Sequence, residues 1–168
     1  MSRSSTKQRG TKLDAIDAAI LKELQSSSKI TNAMLSEKVG VSPPSTLERV
    51  RKLESKGIIQ GYVALLDADA LNQSILAIVH VSIREHTSES LEAAKKRLGE
   101  FEEVQACWYC AGDEDFILKV RVQDMDHYEQ FVSKKLTTVR GISRMRTNFV
   151  LSAVKDTPAV PLSGLDVK

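Results

Sequence analysis

Two cysteines beside an acidic turn make the densest run of reactive side chains in this 168-residue sequence. Residues 104–116 read VQACWYCAGDEDF, with Cys107 and Cys110 spaced C-x-x-C. That spacing is the signature of a thiol–disulfide centre. Its chemistry needs a thiolate, which a helix N-terminus stabilises at the first cysteine. Here a helical pattern does not follow; an acidic turn and a strand pattern do. Acidic neighbours raise a thiol pKa. Both cysteines are expected within one strand, where residues three apart point to opposite faces. A disulfide would have to break that strand. The pair is therefore read as small packing residues, and a thiol redox enzyme is kept only as an alternative.

The other reactive groups assemble no reaction centre. His80, His86 and His127 show no metal-ligand spacing to one another or to the cysteines. There is no Gly-rich phosphate loop and no serine elbow. Glu102, Glu103, Asp113, Glu114 and Asp115 read as polar connections between strands rather than as acid–base pairs. No catalytic residue, metal or cofactor is assigned, and an enzyme is the weaker class. The turn Gly112-Asp113-Glu114-Asp115 offers a different chemistry. Free backbone N–H groups after a glycine can bind a carboxylate, and a neighbouring Asp can bind an ammonium. Together they could hold the backbone end of a free α-amino acid.

Charge points to a second kind of partner. Residues 1–60 carry 11 Lys+Arg against 6 Asp+Glu, a net +5, while residues 61–168 carry 13 against 16, a net −3. A basic first third suggests contact with a polyanion. The chain has 42% hydrophobic and 27% charged residues, an ordinary soluble composition. Its longest apolar run, ILAIV, is strand-sized. The polar, basic start MSRSSTKQRGTK reads as no secretory signal. A cytoplasmic protein without membrane contact is expected.

Elements that could position these groups follow from periodicity. KLDAIDAAILKELQ is an amphipathic helix with Leu13, Ile16, Ile20, Leu21 and Leu24 at helical spacing, Asp14 at its N-cap and Asp17 in its first turn. TNAMLSEKV is a second helix, capped by Thr31, ended by Gly40 and expected to bury Met34, Leu35 and Val39. VSPPSTLERVRKLESKG is a third, with Ser42 as cap, Pro43 at the first helical position and Gly57 as the stop. Three short helices with a tight Gly-containing turn make a helix-turn-helix layout. At 100° per residue, Leu47, Val50 and Leu53 share the inner face of the third helix. Ser45, Glu48 and Lys52 lie opposite, flanked by Arg49 and Arg51. A helix placed in a major groove needs such a face.

Beyond Gly57 the pattern changes to strand–helix–strand, twice. IIQGYVALLD reads as an extended hinge strand. SILAIVHVSIRE, VQACWYC, DFILKVRV and ISRMRTNFVLSAV read as strands. SESLEAAKKRLGEF and MDHYEQFVSKKL read as helices. That order predicts a ferredoxin-like βαββαβ unit with both helices on one sheet face. Apolar residues on the bare face, Ile117 and one set of Trp108, Tyr109 and Cys110, call for a partner. A homodimer stacking sheet on sheet is the simplest.

These stretches resemble the Lrp/AsnC (feast/famine) transcriptional regulators over roughly residues 13–152. The family's Leu-Asp-x-x-Asp opening is met by Leu13, Asp14 and Asp17. Its helix-turn-helix run is met by Val41, Ser42, Pro43, Arg49, Val50, Leu53, Glu54, Gly57, Ile58, Ile59, Gly61 and Tyr62. Its Gly-Asp-x-Asp-aromatic hallmark is Gly112, Asp113, Asp115 and Phe116, followed by Gly141-Ile142 and Arg146-Thr147. The resemblance implies binding to double-stranded DNA, dimerisation through the second half, and assembly to tetramers or octamers. It also implies a small effector, usually an amino acid, held near Gly112, Asp113 and Asp115, with Thr147 as a further member. Two residues depart from the pattern. Glu114 stands where an aromatic or apolar residue is common, and Glu48 where some members carry Arg.

The expected architecture is α+β: a helix-turn-helix domain at 13–57 and a ferredoxin-like domain at 74–154. A basic arm with Arg3, Lys7 and Arg9 (1–12), a hinge (58–73) and a loose tail (155–168) complete it. The expected DNA-facing residues are Ser42, Ser45, Glu48, Arg49, Arg51 and Lys52. The expected function is a sequence-specific DNA-binding regulator modulated by a small effector. The alternative beside the redox enzyme is an amino-acid sensor without DNA activity.

Overall fold

A computed structural model describes residues 13–163; the basic arm, 1–12, and the last residues of the tail, 164–168, lie outside the described residues. Three helices come first: α1 (Ala15–Ser26), α2 (Asn32–Val39) and α3 (Pro43–Ser55). Then follow β1 (Ile75–Ile83), α4 (Ser88–Gly99), β2 (Val104–Tyr109), β3 (Phe116–Val122), α5 (Met125–Lys134), a 3-10 turn at Leu136–Thr138, and β4 (Ile142–Phe149). The chain divides into two compact units, one of residues up to 65 together with those from 157 onward, the other spanning 66–156. Among the described residues, no helix is long and apolar enough to cross a membrane.

Local capping chemistry sets the helical unit. The Asp14 carboxylate accepts the Asp17 N–H at 2.8 Å, and the Asp17 carboxylate reaches back to the Asp14 N–H, a reciprocal capping box. Thr31 caps α2 through the Met34 N–H. Gly40 ends it at φ +71°, a left-handed conformation that costs glycine little. Ser42 stands at the N-cap of α3 without a side-chain bond, and Pro43 follows. The core is Leu13, Ile20, Leu21, Leu35 and Leu53.

Two burial expectations fail here. Met34 is 54% exposed and Leu47 39% exposed. Thr46, a polar residue, is fully buried instead. Its hydroxyl donates to the Ser42 carbonyl at 3.1 Å, which removes the penalty for burying it. The inner face of α3 thus runs through Thr46, Val50 and Leu53. It is turned about 30° from a face drawn through Leu47, Val50 and Leu53.

The second unit is a four-stranded antiparallel sheet in the order β2-β3-β1-β4, the split βαβ arrangement. Alternation fixes its faces. Ala77, Val79, Val81 and Ile83 of β1, with Phe116, Leu118, Val120 and Val122 of β3, pack against Ala94 and Leu98 of α4 and Tyr128 and Phe131 of α5. Burying each large apolar side chain contributes roughly 1.5–3 kcal/mol, so this cluster holds the unit together. The opposite face carries the cross-strand row Trp108, Ile117, His80 and Arg146, so Trp108 is the aromatic set on it.

Three strand boundaries differ from expectation. Residues 60–67 form no ladder within the chain, and Tyr62, Val63, Leu65 and Leu66 stand exposed. The β4 ladder stops at Phe149, which leaves Leu151 in solvent. β2 stops at Tyr109, so Cys110 lies beyond the strand, its N–H bonded to the Asp115 carbonyl at 2.8 Å.

Candidate nucleic-acid interface and effector loop

The face of α3 opposite Thr46, Val50 and Leu53 is formed at 100° per residue by Pro44, Glu48, Arg51 and Ser55, and all four are exposed. Leu47 borders it on one side. Ser45 and Lys52 border it on the other, where they line a shallow groove with Glu48, Arg49 and the start of α1. Of the six residues expected to face DNA, Ser42, Glu48, Arg51 and Lys52 are exposed, while Ser45 and Arg49 are half-buried. Pro44 stands on this face, and Leu47, expected on the inner face, is turned out to its border. An apolar side chain can meet a thymine methyl in the groove.

Arg49 has partners inside its own unit. Its guanidinium donates to the Asp14 carboxylate at 2.6 Å and to Asp17 at 2.8 Å. It thereby ties α3 to the capping box of α1. The Asp14 carboxyl lies below its ordinary pKa, through the Asp17 N–H first and the Arg49 guanidinium second. The pair raises the Arg49 pKa in turn. Expected to face DNA, Arg49 is within one chain already engaged by these two carboxylates. The physical reason is that two carboxylates of one helix end converge on a cation already half out of water. Nothing local signals it, because the partners lie 32 and 35 positions apart.

The Gly112–Asp115 loop joins β2 to β3, and its three carboxylates have three different environments. Asp115 is built into the sheet end: its carboxylate accepts the Ile83 N–H at 2.7 Å and meets the His86 ring at 2.9 Å. Its own N–H bonds to the Val81 carbonyl. Glu114, the departure from the family pattern, lies 2.9 Å from Arg146 and 3.9 Å from both Arg144 and His80. Its side chain is only 16% exposed, so its charge is largely spent on Arg146. Asp113 is exposed and has no hydrogen bond or ion pair among the described residues. Thr147 sits on β4 opposite Val79 and shares a hydroxyl–hydroxyl hydrogen bond with Tyr128 of α5. Within one chain, then, the loop leaves Gly112 and Asp113 open, while Asp115 and Thr147 already have protein partners.

Neither cysteine is in a disulfide, and both are half-buried. Burial and the neighbouring Cys110 push the Cys107 thiol pKa up, the opposite of what a redox nucleophile needs. Among the described residues, no cluster of three or more His, Cys, Asp and Glu could hold a metal ion.

Comparison with known proteins matches both units. A winged helix-turn-helix DNA-binding model covers residues 13–60, and the Lrp/AsnC ligand binding domain covers residues 76–160. The leucine-responsive regulatory protein of Escherichia coli K12 is 40% identical over 151 residues, covering 90% of this chain and 92% of its own length. The leucine-responsive regulatory protein of Haemophilus influenzae is 41% identical, with 90% and 91% covered. Among solved structures, a transcriptional regulator of Neisseria meningitidis in complex with L-Met superposes with a TM-score of 0.86. It shows 33% identity and covers 90% of this chain and 97% of that one. An AsnC family regulator of Agrobacterium tumefaciens gives 0.86 at 31% identity, covering 90% and 98%. A DNA-binding helical unit followed by a ligand-binding sheet unit, with relatives matched over nine-tenths of the chain, places this protein in the Lrp/AsnC family of transcriptional regulators.

Proposed function

We propose that the protein is a sequence-specific regulator that lays α3 in the DNA major groove and responds to a free amino acid. The observation that carries the DNA contact is the exposed row Pro44, Glu48, Arg51 and Ser55 on α3. Ser42 stands at the helix N-terminus, where a phosphate is favoured. Arg51 and Lys52 supply cations to the backbone, and Glu48 can accept from cytosine N4. Ser45 faces the groove edge. Arg49 holds α3 in place from its flank rather than reading a base.

The effector reading rests on the open pair Gly112 and Asp113, a backbone turn beside an unpartnered carboxylate. Those groups suit the carboxylate and ammonium of an amino acid. Asp115 shapes the loop through Ile83. Thr147, on the edge strand with its hydroxyl bonded to Tyr128, is a further member by the family resemblance. Relatives are named for leucine response, and one is solved with L-Met, so leucine and methionine are the first ligands to try. Two surfaces suit a homodimer and its assembly to tetramers or octamers: the bare sheet face with Trp108 and Ile117, and the exposed run Tyr62, Val63, Leu65 and Leu66.

A thermal-shift screen of the twenty amino acids on wild type and Asp113→Ala, paired with anisotropy titration on DNA from upstream of its own gene, tests the proposal. Stabilisation by one amino acid, lost in Asp113→Ala, together with DNA binding that the same amino acid alters, is the expected result. An amino-acid shift without affinity for that DNA or for selected random duplexes would leave the sensor alternative standing instead.

A further inference from the structure

The segment after β4 is unused by the reading above. The Val150 N–H still bonds to the Leu76 carbonyl at the end of the sheet. Asp156 then pairs with Lys119 of β3 at 2.7 Å. From Thr157 the chain belongs to the helical unit. There the Gln25 side-chain amide, near the end of α1, engages one backbone residue twice. Its Nε2 donates to the Val160 carbonyl at 3.2 Å, and its Oε1 accepts the Val160 N–H at 2.6 Å. A side-chain amide thus offers Val160 the donor and acceptor that a neighbouring strand would offer. Two residues on, Leu162 packs against the helical core. Pro158 and Pro161 bracket Val160. Their fixed φ lowers the entropy lost when the segment is ordered. Two hydrogen bonds, an apolar anchor and two prolines converge on one short stretch that composition alone reads as loose.

We infer that α1 carries a docking surface for the C-terminal segment of this chain, making residues 156–162 a strap that couples the ligand-binding unit to the DNA-binding unit. One anchor is Asp156 on Lys119; the other is Val160 on Gln25 of α1, with Leu162 on the helical core. The two units are then joined by two covalent connections, at 65–66 and 156–157, instead of one. Only residues 157–159 separate the anchors. At ~3.5 Å per residue that interval reaches at most about 14 Å, so only a displacement beyond that reach must pull on the second anchor. The helix it acts on is the one whose other end holds Arg49 of α3 through Asp14 and Asp17. Docking stands on its own; the coupling role rests on the regulatory reading above.

Hydrogen exchange on the full-length protein separates the two. In wild type the Val160 amide exchanges slowly. In Gln25→Ala its protection falls about tenfold, the loss of two ordinary hydrogen bonds, and in Leu162→Asp the whole stretch 157–162 opens. An unprotected Val160 amide in wild type, or unchanged protection in Gln25→Ala, overturns the docking. Gln25 is exposed, so that variant keeps the helical core intact even if Leu162→Asp unfolds it. DNA affinity is then measured with and without L-leucine or L-methionine. Coupling predicts that Gln25→Ala binds the duplex within about twofold of wild type, while the amino-acid effect falls toward none. An undiminished amino-acid effect in a variant whose Val160 amide has opened overturns the coupling. A wild type that binds no DNA, or ignores both amino acids, overturns coupling together with the regulatory reading, and docking is still decided by exchange.

Discussion

Replacing Arg49 by Ala removes two ion-paired hydrogen bonds at once. Hydrogen bonds to charged groups stabilise by roughly 1.5–3 kcal/mol when protected, and exposed pairs by about 0.2–1 kcal/mol. The Asp17 side chain is 14% exposed and the Asp14 side chain 40%, so the Asp17 bond lies nearer the protected case. We take about 1 kcal/mol for the Asp17 bond, about 0.5 for the Asp14 bond and about 0.5 for lost packing of the alkyl stem. The sum is about 2 kcal/mol. At roughly 4–8 °C per kcal/mol for a small unit, the helical transition should fall by on the order of 10 °C. A double-mutant cycle between Arg49→Ala and Asp17→Asn should return a coupling of about 1 kcal/mol. Asp14→Asn keeps an N-cap of equal quality and isolates the smaller share. At a temperature where Arg49→Ala stays folded, its DNA affinity should drop alike on every sequence. An unchanged melting temperature, with preference relaxed at one base position, would refute this account and return Arg49 to the groove.

Other expectations follow from the same geometry. Asp115→Ala orphans the Ile83 N–H and should destabilise the sheet unit by about 1–3 kcal/mol, whereas Asp113→Ala should leave its melting unchanged and lose amino-acid binding; equal melting of the two variants would contradict the division of labour. Thr46→Val should cost less than about 1 kcal/mol, because the Ser42 carbonyl keeps the Thr46 N–H at 2.9 Å, while Thr46→Ala leaves a cavity costing more; denaturant titrations ranking them the other way would show that the hydroxyl matters more than its volume. The Asp14 carboxyl is held below its ordinary 3.8 in the folded chain, so its stabilisation is present above that value and lost as pH falls through the folded pKa. Wild type should therefore melt above Asp14→Asn at neutral pH, with the gap closing on acidification below about pH 4; a gap constant with pH would exclude the linkage.

Much of this protein is legible locally. Asp14, Thr31, Gly40 and Pro43 mark helix ends because caps act within a few residues. Phe116, Leu118, Val120 and Val122 show their alternation in a single run, and the order of strands and helices dictates the split βαβ sheet. The remainder depends on contacts between distant residues. Thr46 counts as polar in any pattern, yet a bond to its own preceding turn lets it sit in the core, and that turns the exposed face of α3. The pairing of Glu114 with Arg146 and the docking of Val160 on Gln25 join residues 32 and 135 positions apart. Spacing along the chain is blind to both. The loop at Gly112–Asp115 lies between these cases: its motif marks the place, but only geometry shows which carboxylate is already used.

The central claim is that the Arg51 side of α3 meets DNA, and the salt dependence of binding tests it most directly. Affinity for one duplex is measured across a range of salt for wild type and Arg51→Ala. Arg51 is exposed and makes no ion pair among the described residues, so its removal leaves the fold unstrained. If it neutralises a phosphate, the variant binds more weakly on every sequence and its slope of log affinity against log salt falls by about one. An Arg51→Ala protein with wild-type affinity and an unaltered slope would contradict the placement of this helix face on DNA.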